Sequence, residues 1–253
     1  MAVSVDLNCD MGESFGVYNL GDDAAMLNIV TSANVACGFH AGDPLVMHRT
    51  IEMAKANNVQ VGAHPGFNDL WGFGRRPILG ERPEDIEKQL IYQIGALSAM
   101  ADAQGWSISH VKTHGSLANM AAVDPDLAKA CADAIKTFDA NLAYVCLPYS
   151  ESYTAAEKAG LRVISEVFAD RSYDDEGRLT SRKLPGAMIH DIDEATRHVL
   201  RMVVDKEILT TGGKRLPVDA QTICVHGDTP GAVDIAGKLR TSLEQAGVSV
   251  AAF

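Results

Sequence analysis

Four histidines stand directly after predicted strands, each beside a glycine or proline turn: His40, His64, His114 and His226. Imidazole titrates near neutral pH and is a common metal ligand, so this set suits either general acid–base catalysis or metal ligation. Any one of them could be a structural histidine bonded to a loop carbonyl, but four at equivalent positions predict a shared functional site. The remaining histidines fall on helices or at strand starts and are expected to be structural: His48, His110, His190 and His198.

Carboxylates occupy two further strand ends. Asp10 and Glu13 flank a glycine turn after the first strand, where they could supply a base and its orienting partner, hold a cation, or simply cap a turn. Their place at the same predicted end as the histidines favours a functional role. Asp170 follows the sixth strand, and with Arg171 and Glu166 it predicts either a structural salt bridge or a substrate contact.

Cationic side chains complete the set. Lys112 precedes His114 by two residues, and positions i and i+2 of a strand share a face, so both are expected to point toward the same mouth. There Lys112 could stabilise a developing oxyanion or hold a carboxylate. Arg75 and Arg76 end a glycine-rich loop, and their guanidinium groups suit carboxylate or phosphate recognition, although arginine pairs on loops are often only solvated.

Residues 32–44 show the local pattern that positions these side chains. Residues 32–37 are small and β-branched, as expected of a strand buried on both faces. A glycine-rich turn carries His40, and Asp43-Pro44 then begins a helix, because Asp accepts from free N–H groups and Pro fits the first helical position. The same succession of strand, turn and helix recurs along the chain.

Seven predicted strands alternate with helices, which favours a parallel α/β fold. They span residues 3–9, 32–37, 59–63, 110–113, 142–147, 161–167 and 222–225. The ends of parallel strands converge on one mouth in a closed (β/α) barrel but spread along an edge in an open doubly wound sheet. Polar residues after so many strands therefore predict a seven-stranded (β/α) barrel, as a single domain over residues 1–253. The absence of a GxGxxG motif after the first strand counts against a dinucleotide-binding sheet.

Composition excludes several classes of function. The chain has 253 residues, 47% of them hydrophobic and 22% charged, and its formal net charge of −11 argues against nucleic acid as a partner. Its five cysteines include no CxxC pair and read as reduced core residues of a cytoplasmic protein. No signal peptide or membrane-spanning stretch is evident. The sequence also contains no GxxxxGK[ST], GxSxG or HExxH motif.

Seven ordered motifs resemble the LamB/YcsF family over nearly the whole chain. They lie at residues 7–13, 33–44, 62–65, 72–76, 111–115, 166–173 and 225–228. The resemblance implies a (β/α) barrel akin to the glycoside hydrolase/deacetylase group. It also implies one component of an ATP-dependent 5-oxoprolinase, which converts 5-oxo-L-proline to L-glutamate together with partner subunits B and C. ATP would then be bound with the partner subunits, with Mg²⁺ as its counter-ion.

The resemblance and the strand-end pattern together give a candidate site. The expected catalytic residues are Asp10, Glu13, His40, His64, Lys112, His114, Asp170 and His226. The expected substrate-binding residues are Asn8, Asn34, Arg75, Arg76, Asn119 and Arg171. Residues 112–119 depart from the family pattern by lacking a proline and a tyrosine, which affects the expected shape of the substrate pocket.

Opening a lactam requires a base for water, donors for developing negative charge and an anchor for the substrate carboxylate. We expect Asp10 or a strand-end histidine as the base, Lys112 and His114 as charge stabilisers, and Arg75 or Arg76 as the anchor.

Two alternative functions stay open. One is a metal-dependent amide hydrolase resembling a carbohydrate deacetylase, with Asp10, His40 and His64 as ligands. The other is a non-catalytic subunit that binds substrate for a partner.

Overall fold

The computed structural model describes residues 3–225 and 231–253. Its strands, in chain order, are β1 (Ser4–Met11), β2 (Ser32–Ala36), β3 (Gln60–His64), β4 (Ile108–Lys112), β5 (Ala143–Cys146), β6 (Val163–Phe168), β7 (Glu207–Leu209), β8 (Arg215–Pro217), β9 (Thr222–Val225) and β10 (Ser249–Val250). Its α-helices are α1 (Asp23–Met26), α2 (Pro44–Ala56), α3 (Pro83–Asp102), α4 (Gly115–Ala121), α5 (Pro125–Phe138), α6 (Glu151–Ala159), α7 (Ile192–Val203) and α8 (Ala232–Gln245). A 3₁₀ turn covers Leu70–Gly72.

Seven parallel strands form a closed barrel in the order β1-β2-β3-β4-β5-β6-β9. Closure is visible at Asn8 on β1, which pairs with Ser32 of β2 on one side and with Cys224 of β9 on the other. These are the seven strands that the sequence predicts, so the prediction of a barrel rather than an open sheet is confirmed. All their carboxyl ends consequently open at one mouth.

The helices form where the sequence supplies capping residues and an apolar stripe. The Asp43 carboxylate accepts from the N–H groups of Leu45 and Val46 at the start of α2, with Pro44 in the first turn. Asp124 and Asp191 cap α5 and α7 in the same manner. The buried face of α3 consists of apolar residues at helical spacing: Ile86, Leu90, Ile94, Leu97 and Ala101. The main apolar core therefore joins helices to the barrel strands, leaving the barrel interior to other side chains.

Three features are not predicted by the sequence pattern. The strands β7 and β8 form an antiparallel hairpin in which Ile208 lies opposite Leu216, and three-residue strands are too short for alternation to reveal. The strand β10 adds to the edge of β1 outside the barrel ring. Helix α4 begins directly after His114, which is its N-cap residue.

All five cysteines are buried free thiols, which confirms their interpretation as reduced core residues. Within residues 3–225 and 231–253, no helix has both the length and the apolar character needed to cross a bilayer.

Candidate active site

The barrel interior below the mouth contains a network of buried amides. The amide nitrogen of Asn34 donates to Asn8 Oδ1 at 2.8 Å and to Asp10 Oδ1 at 2.9 Å. The Oδ1 of Asn34 lies 2.8 Å from His110 Nε2, which donates this hydrogen bond. The amide nitrogen of Asn8 donates in turn to Glu166 at 3.1 Å. Asn8 and Asn34 are predicted to bind substrate; in the structure both are buried and hydrogen-bond other side chains of the barrel.

Asp6 terminates this network at the lower end of the barrel. Its Oδ1 accepts from the hydroxyls of Thr31 at 2.6 Å and Ser32 at 2.7 Å, and its other oxygen accepts from Thr222. Burial raises the pKa of Asp6, and these three donors oppose the rise. The hydroxyl of Thr222 also accepts from the amide of Asn8 at 2.7 Å, so the network is continuous with the layer above.

Lys112 stands at the centre of the upper layer with its ammonium group between two carboxylates. Its Nζ lies 2.9 Å from Asp10 Oδ1 and 2.8 Å from Glu166 Oε1, and it also donates to Asn8 Oδ1 at 3.2 Å. Burial opposes the charge, but Asp10 and Glu166 outweigh it and hold the pKa of Lys112 well above its usual value. Lys112 is therefore an ammonium ion at neutral pH and cannot act as a general base.

Three of the predicted histidines meet at the mouth. His64 Nε2 lies 3.2 Å from Asp10 Oδ2 and 3.0 Å from His114 Nδ1. His40 stacks on His114 with ring centroids 3.7 Å apart, and its Nε2 lies 3.2 Å from Glu13 Oε1. The same carboxylate oxygen is 3.5 Å from His114 Nδ1. The strand-end positions thus bring three imidazoles and two carboxylates into direct contact.

Burial keeps two of these rings neutral. It lowers the pKa of His40 well below the usual value, and that of His114 likewise, with the neighbouring histidines adding to the effect. A neutral imidazole has one unprotonated nitrogen, which can accept a proton or bind a metal ion.

A glycine-rich loop closes the histidine cluster from one side. The carbonyl of Phe73 accepts from His114 Nε2 at 2.8 Å, and the guanidinium group of Arg75 lies 5.0 Å from the centre of the Phe73 ring. Gly74 has φ +61°, and a Cβ there would lie 2.7 Å from His114 Cδ2 and from His40 Cβ. Glycine is required at this position because a side chain would displace both rings.

The mouth opens into a cavity of about 480 Å³, within the range of small-molecule sites. Eight of the predicted residues line it: Asp10, Glu13, His64, Arg75, Lys112, His114, Asn119 and Arg171. Further cations from the following loop also line it: Arg178, Arg182 and Lys183. A protein with a net charge of −11 therefore surrounds this cavity with several positive side chains, an arrangement typical of a site for a small anion.

Several predicted residues lie elsewhere. His40 is fully buried behind His114 and does not line the cavity. Arg76 forms an ion pair with Asp69, whose Oδ1 also accepts from Gly72 N at 3.0 Å, so this arginine braces the loop rather than facing the cavity. Asp170 lies beyond β6, where its carbonyl accepts from Ile189 N at 2.8 Å, and it does not line the cavity either. His226 lies outside the described residues.

Glu166 and His110 make contacts that the sequence did not indicate. Glu166 lines the cavity and pairs with Lys112, not with Arg171 as the local sequence suggested. His110 lies inside the barrel, where burial lowers its pKa to about 3, and it orients Asn34. Strand alternation could have indicated that His110 points into the barrel, because it shares a face of β4 with Lys112. Glu166 lies opposite Thr222 of β9, a pairing that only the structure shows.

Comparison with known proteins identifies close relatives. A family model described as LamB/YcsF family matches residues 5–253. A protein of Rhodopseudomonas palustris (strain BisB5), named as the A subunit of 5-oxoprolinase, is 52% identical over 251 residues and covers 99% of each chain. A protein of Bradyrhizobium diazoefficiens, named as a second such A subunit, is 52% identical over 250 residues, covering 99% of this chain and 98% of that one.

Solved structures agree with this relationship. A lactam utilization protein from Thermus thermophilus superposes with a TM-score of 0.94 at 46% identity, covering 99% of this chain and 100% of that one. A family 4 carbohydrate esterase from Streptomyces lividans superposes with a TM-score of 0.51 at 14% identity over 98% of this chain and 91% of that one, a similarity of fold alone. On the evidence of the family match and of these full-length relatives, the chain belongs to the LamB/YcsF family.

Proposed function

We propose that this chain is the A subunit of an ATP-dependent 5-oxoprolinase, which opens the lactam of 5-oxo-L-proline to give L-glutamate. The observation that carries the proposal is the 52% identity, over 99% of both chains, to a protein named as the A subunit of 5-oxoprolinase. The geometry of the mouth supports it, because a fixed cation, imidazoles and carboxylates surround one small-molecule cavity.

Lys112 acts as the electrostatic element of the proposed reaction. A lactam carbon accepts a nucleophile only as negative charge develops on its oxygen, and a preorganised ammonium group in a water-poor site stabilises that charge strongly. Lys112 is held in place by Asp10, Glu166 and Asn8, so it needs no reorganisation when the charge develops.

The base for water comes from the histidine–carboxylate group. His64 lies between Asp10 and His114, and all three line the cavity. Transfer of a phosphoryl group from ATP to the amide oxygen makes the ring carbon more electrophilic. Water then adds to that carbon while a neighbouring base accepts its proton, and the C–N bond breaks as the ring nitrogen takes up a proton and leaves as an amine, which gives an acyl phosphate. A second water hydrolyses the acyl phosphate to the carboxylate of L-glutamate and releases phosphate.

The cations of the rim suit the two anionic groups of this reaction, the carboxylate of 5-oxoproline and the phosphoryl group of ATP. Arg75 and Arg171 approach the cavity from different loops, and Arg171 is largely buried, with its guanidinium group donating to Thr180 O at 2.6 Å. We assign the substrate carboxylate to Arg75 or Arg171, and phosphoryl contacts to Arg178, Arg182 and Lys183. Asn119 on α4 completes the polar lining.

Nucleotide binding is proposed to involve other chains. The sequence has no P-loop, since Gly212-Gly213-Lys214 lacks the required spacing. The relatives are named as one lettered subunit of an enzyme, which implies further subunits. We therefore propose that subunits B and C complete the site for ATP and its Mg²⁺ counter-ion.

The decisive experiment measures glutamate release from 5-oxoproline in the presence of ATP and Mg²⁺. The chain is assayed alone, with subunits B and C, and as Lys112→Met in the same mixture. We expect turnover only when all three subunits are present, and its loss in the Lys112 variant. Absence of turnover from a folded, assembled three-subunit mixture would exclude 5-oxoproline as the substrate.

A further inference from the structure

The hydrogen bonds of His64 and His114 determine which nitrogen of each ring carries hydrogen. His64 Nδ1 lies 2.7 Å from the carbonyl oxygen of Lys112, and a carbonyl can only accept, so the hydrogen is on Nδ1. His114 Nε2 lies 2.8 Å from the carbonyl of Phe73, so its hydrogen is on Nε2. With one hydrogen on each ring in these positions, His64 Nε2 and His114 Nδ1 each present a bare lone pair.

These two bare nitrogens face one another at 3.0 Å. Asp10 Oδ2 lies 3.2 Å from the first, and Glu13 Oε1 lies 3.5 Å from the second. Each of these nitrogens thus has a carboxylate oxygen beside it, and two lone pairs at this distance repel unless a positive charge lies beside both. The rings are mutually perpendicular, with an interplanar angle of 90°, which allows both in-plane lone pairs to point at a common position.

Either a proton or a metal ion can supply that charge. A shared proton bridges only the two nitrogens, whereas a metal ion accepts electron pairs from the nitrogens and from a carboxylate as well. The separations of 3.0 Å between His64 Nε2 and His114 Nδ1 and 3.5 Å between His114 Nδ1 and Glu13 Oε1 bracket the edge of about 3.3–3.4 Å expected for a tetrahedron with metal–ligand bonds of about 2.0–2.1 Å. Two imidazoles with carboxylates suit zinc or another divalent transition metal rather than calcium or magnesium.

We infer that His64, His114 and Glu13 bind a divalent transition metal ion of the zinc class at the mouth of the barrel, with Asp10 bordering the fourth position. This site is independent of the proposed substrate. The donor atoms of Glu13, His64 and His114, together with His40, all lie within 4.8 Å of one another.

His40 has a different part in this site. Its ring is parallel to that of His114, with an interplanar angle of 3° and centroids 3.7 Å apart. One ion cannot lie in the plane of two stacked rings, so His40 and His114 cannot both be ligands. His40 Nε2 lies 3.2 Å from Glu13 Oε1, and from there it donates to the carboxylate and orients it.

Metal binding is measured on the folded chain alone, without substrate, ATP or partner subunits, after removal of metal with a chelator. Zn²⁺ is titrated by calorimetry, and Co²⁺ by its visible ligand-field absorption. We expect one equivalent to bind. His64→Gln and His114→Gln should each weaken binding by more than about 100-fold, and His40→Gln by about 10- to 100-fold, as for an outer partner.

His198→Gln is the matched control, because His198 is a buried histidine on α7 outside this cluster, and its metal affinity should equal that of the wild type. Failure of the folded wild type to bind Zn²⁺ or Co²⁺ would overturn the inference and favour a shared proton, which ¹⁵N imidazole spectra would show as a doubly protonated ring. Equal affinity in wild type and in His64→Gln would also overturn it. Because no substrate is present, neither result depends on the proposed oxoprolinase activity.

Discussion

Replacing Lys112 with methionine leaves Asp10 and Glu166 as buried carboxylates on either side of an apolar side chain. In the wild type the ammonium group lies 2.9 Å from one and 2.8 Å from the other. At an effective dielectric constant of about 20, each pair attracts by roughly 6 kcal/mol. Desolvation of the ions offsets much of this attraction. We therefore expect the substitution to lower the free energy of unfolding by about 3–5 kcal/mol, as is typical when a buried ion pair is broken.

The pH dependence of this loss follows from the charges. The pKa of Lys112 is raised by Asp10 and Glu166 against the effect of burial, so its stabilisation is complete below its unfolded pKa and is lost only as the pH rises through the folded value. Between about pH 5 and pH 8 the wild-type lysine therefore stays charged. In the variant, repulsion between the carboxylates is relieved when one takes up a proton, so the stability deficit should narrow as the pH falls.

Urea denaturation at about pH 7.5 and pH 5 measures the loss of stability and its pH dependence. Glutamate release with subunits B and C measures the effect on catalysis, and we expect the turnover rate to fall by about 10²- to 10³-fold. Lys129→Met is the control, since Lys129 forms an exposed ion pair with Asp133 and its loss should leave stability unchanged within error. A Lys112→Met protein as stable as Lys129→Met, or a deficit that does not change with pH, would refute the assignment of Lys112 as a buried counter-ion.

Three further outcomes are expected. Gly74→Ala should lower activity and destabilise the fold, because the added Cβ would lie 2.7 Å from His114 Cδ2. Glutamate release and thermal unfolding measure the two effects, and an active, fully stable variant would contradict this close approach. Burial lowers the pKa of His198 to about 4, so the free energy of unfolding should fall as the pH drops below about 6.5. His198→Gln should reduce that fall by up to about 2 kcal/mol between about pH 7 and pH 5, as measured by urea denaturation. The same pH dependence in the variant and the wild type would refute this role of His198. Arg75→Gln should raise the KM for 5-oxoproline more than Arg76→Gln does, because Arg75 lines the cavity and Arg76 does not, and equal effects would remove this distinction.

The barrel and its mouth could be predicted from sequence because their signals are local. Each barrel strand is a short run of buried residues, and each ends at a turn that glycine, proline or a capping aspartate makes visible. Strand alternation likewise predicted correctly that Lys112 and His114 share a direction, and both line the cavity. The clustering of His40, His64 and His114 follows from the topology, since successive strands of a parallel barrel end side by side.

Pairings across the barrel could not be predicted in this way. Lys112 and Glu166 come from β4 and β6, and nothing in either segment identifies the other as its partner. Asn8 and Asn34 lie within motifs shared with the family, which suggested that they contact substrate. In the structure their amide groups hydrogen-bond other side chains within the barrel. Arg76 follows the cavity residue Arg75 in sequence but forms an ion pair with Asp69, a partner that the sequence does not identify.

The polar interior explains how this barrel holds a charged site at its mouth. A barrel filled with aliphatic side chains would leave Lys112 and its carboxylates to be desolvated without hydrogen bonds, which is costly. Here the amide of Asn8 hydrogen-bonds Glu166 and Lys112, and that of Asn34 hydrogen-bonds Asp10, so neutral amides position each charged group. The amides are fixed in turn by Thr222 and His110. Stability then comes from the apolar contacts between helices and strands outside the ring, and the interior is free to specify the geometry of the site. Substitutions in the amide layer should consequently affect the reacting groups without touching the cavity, which distinguishes positioning residues from residues that contact the substrate.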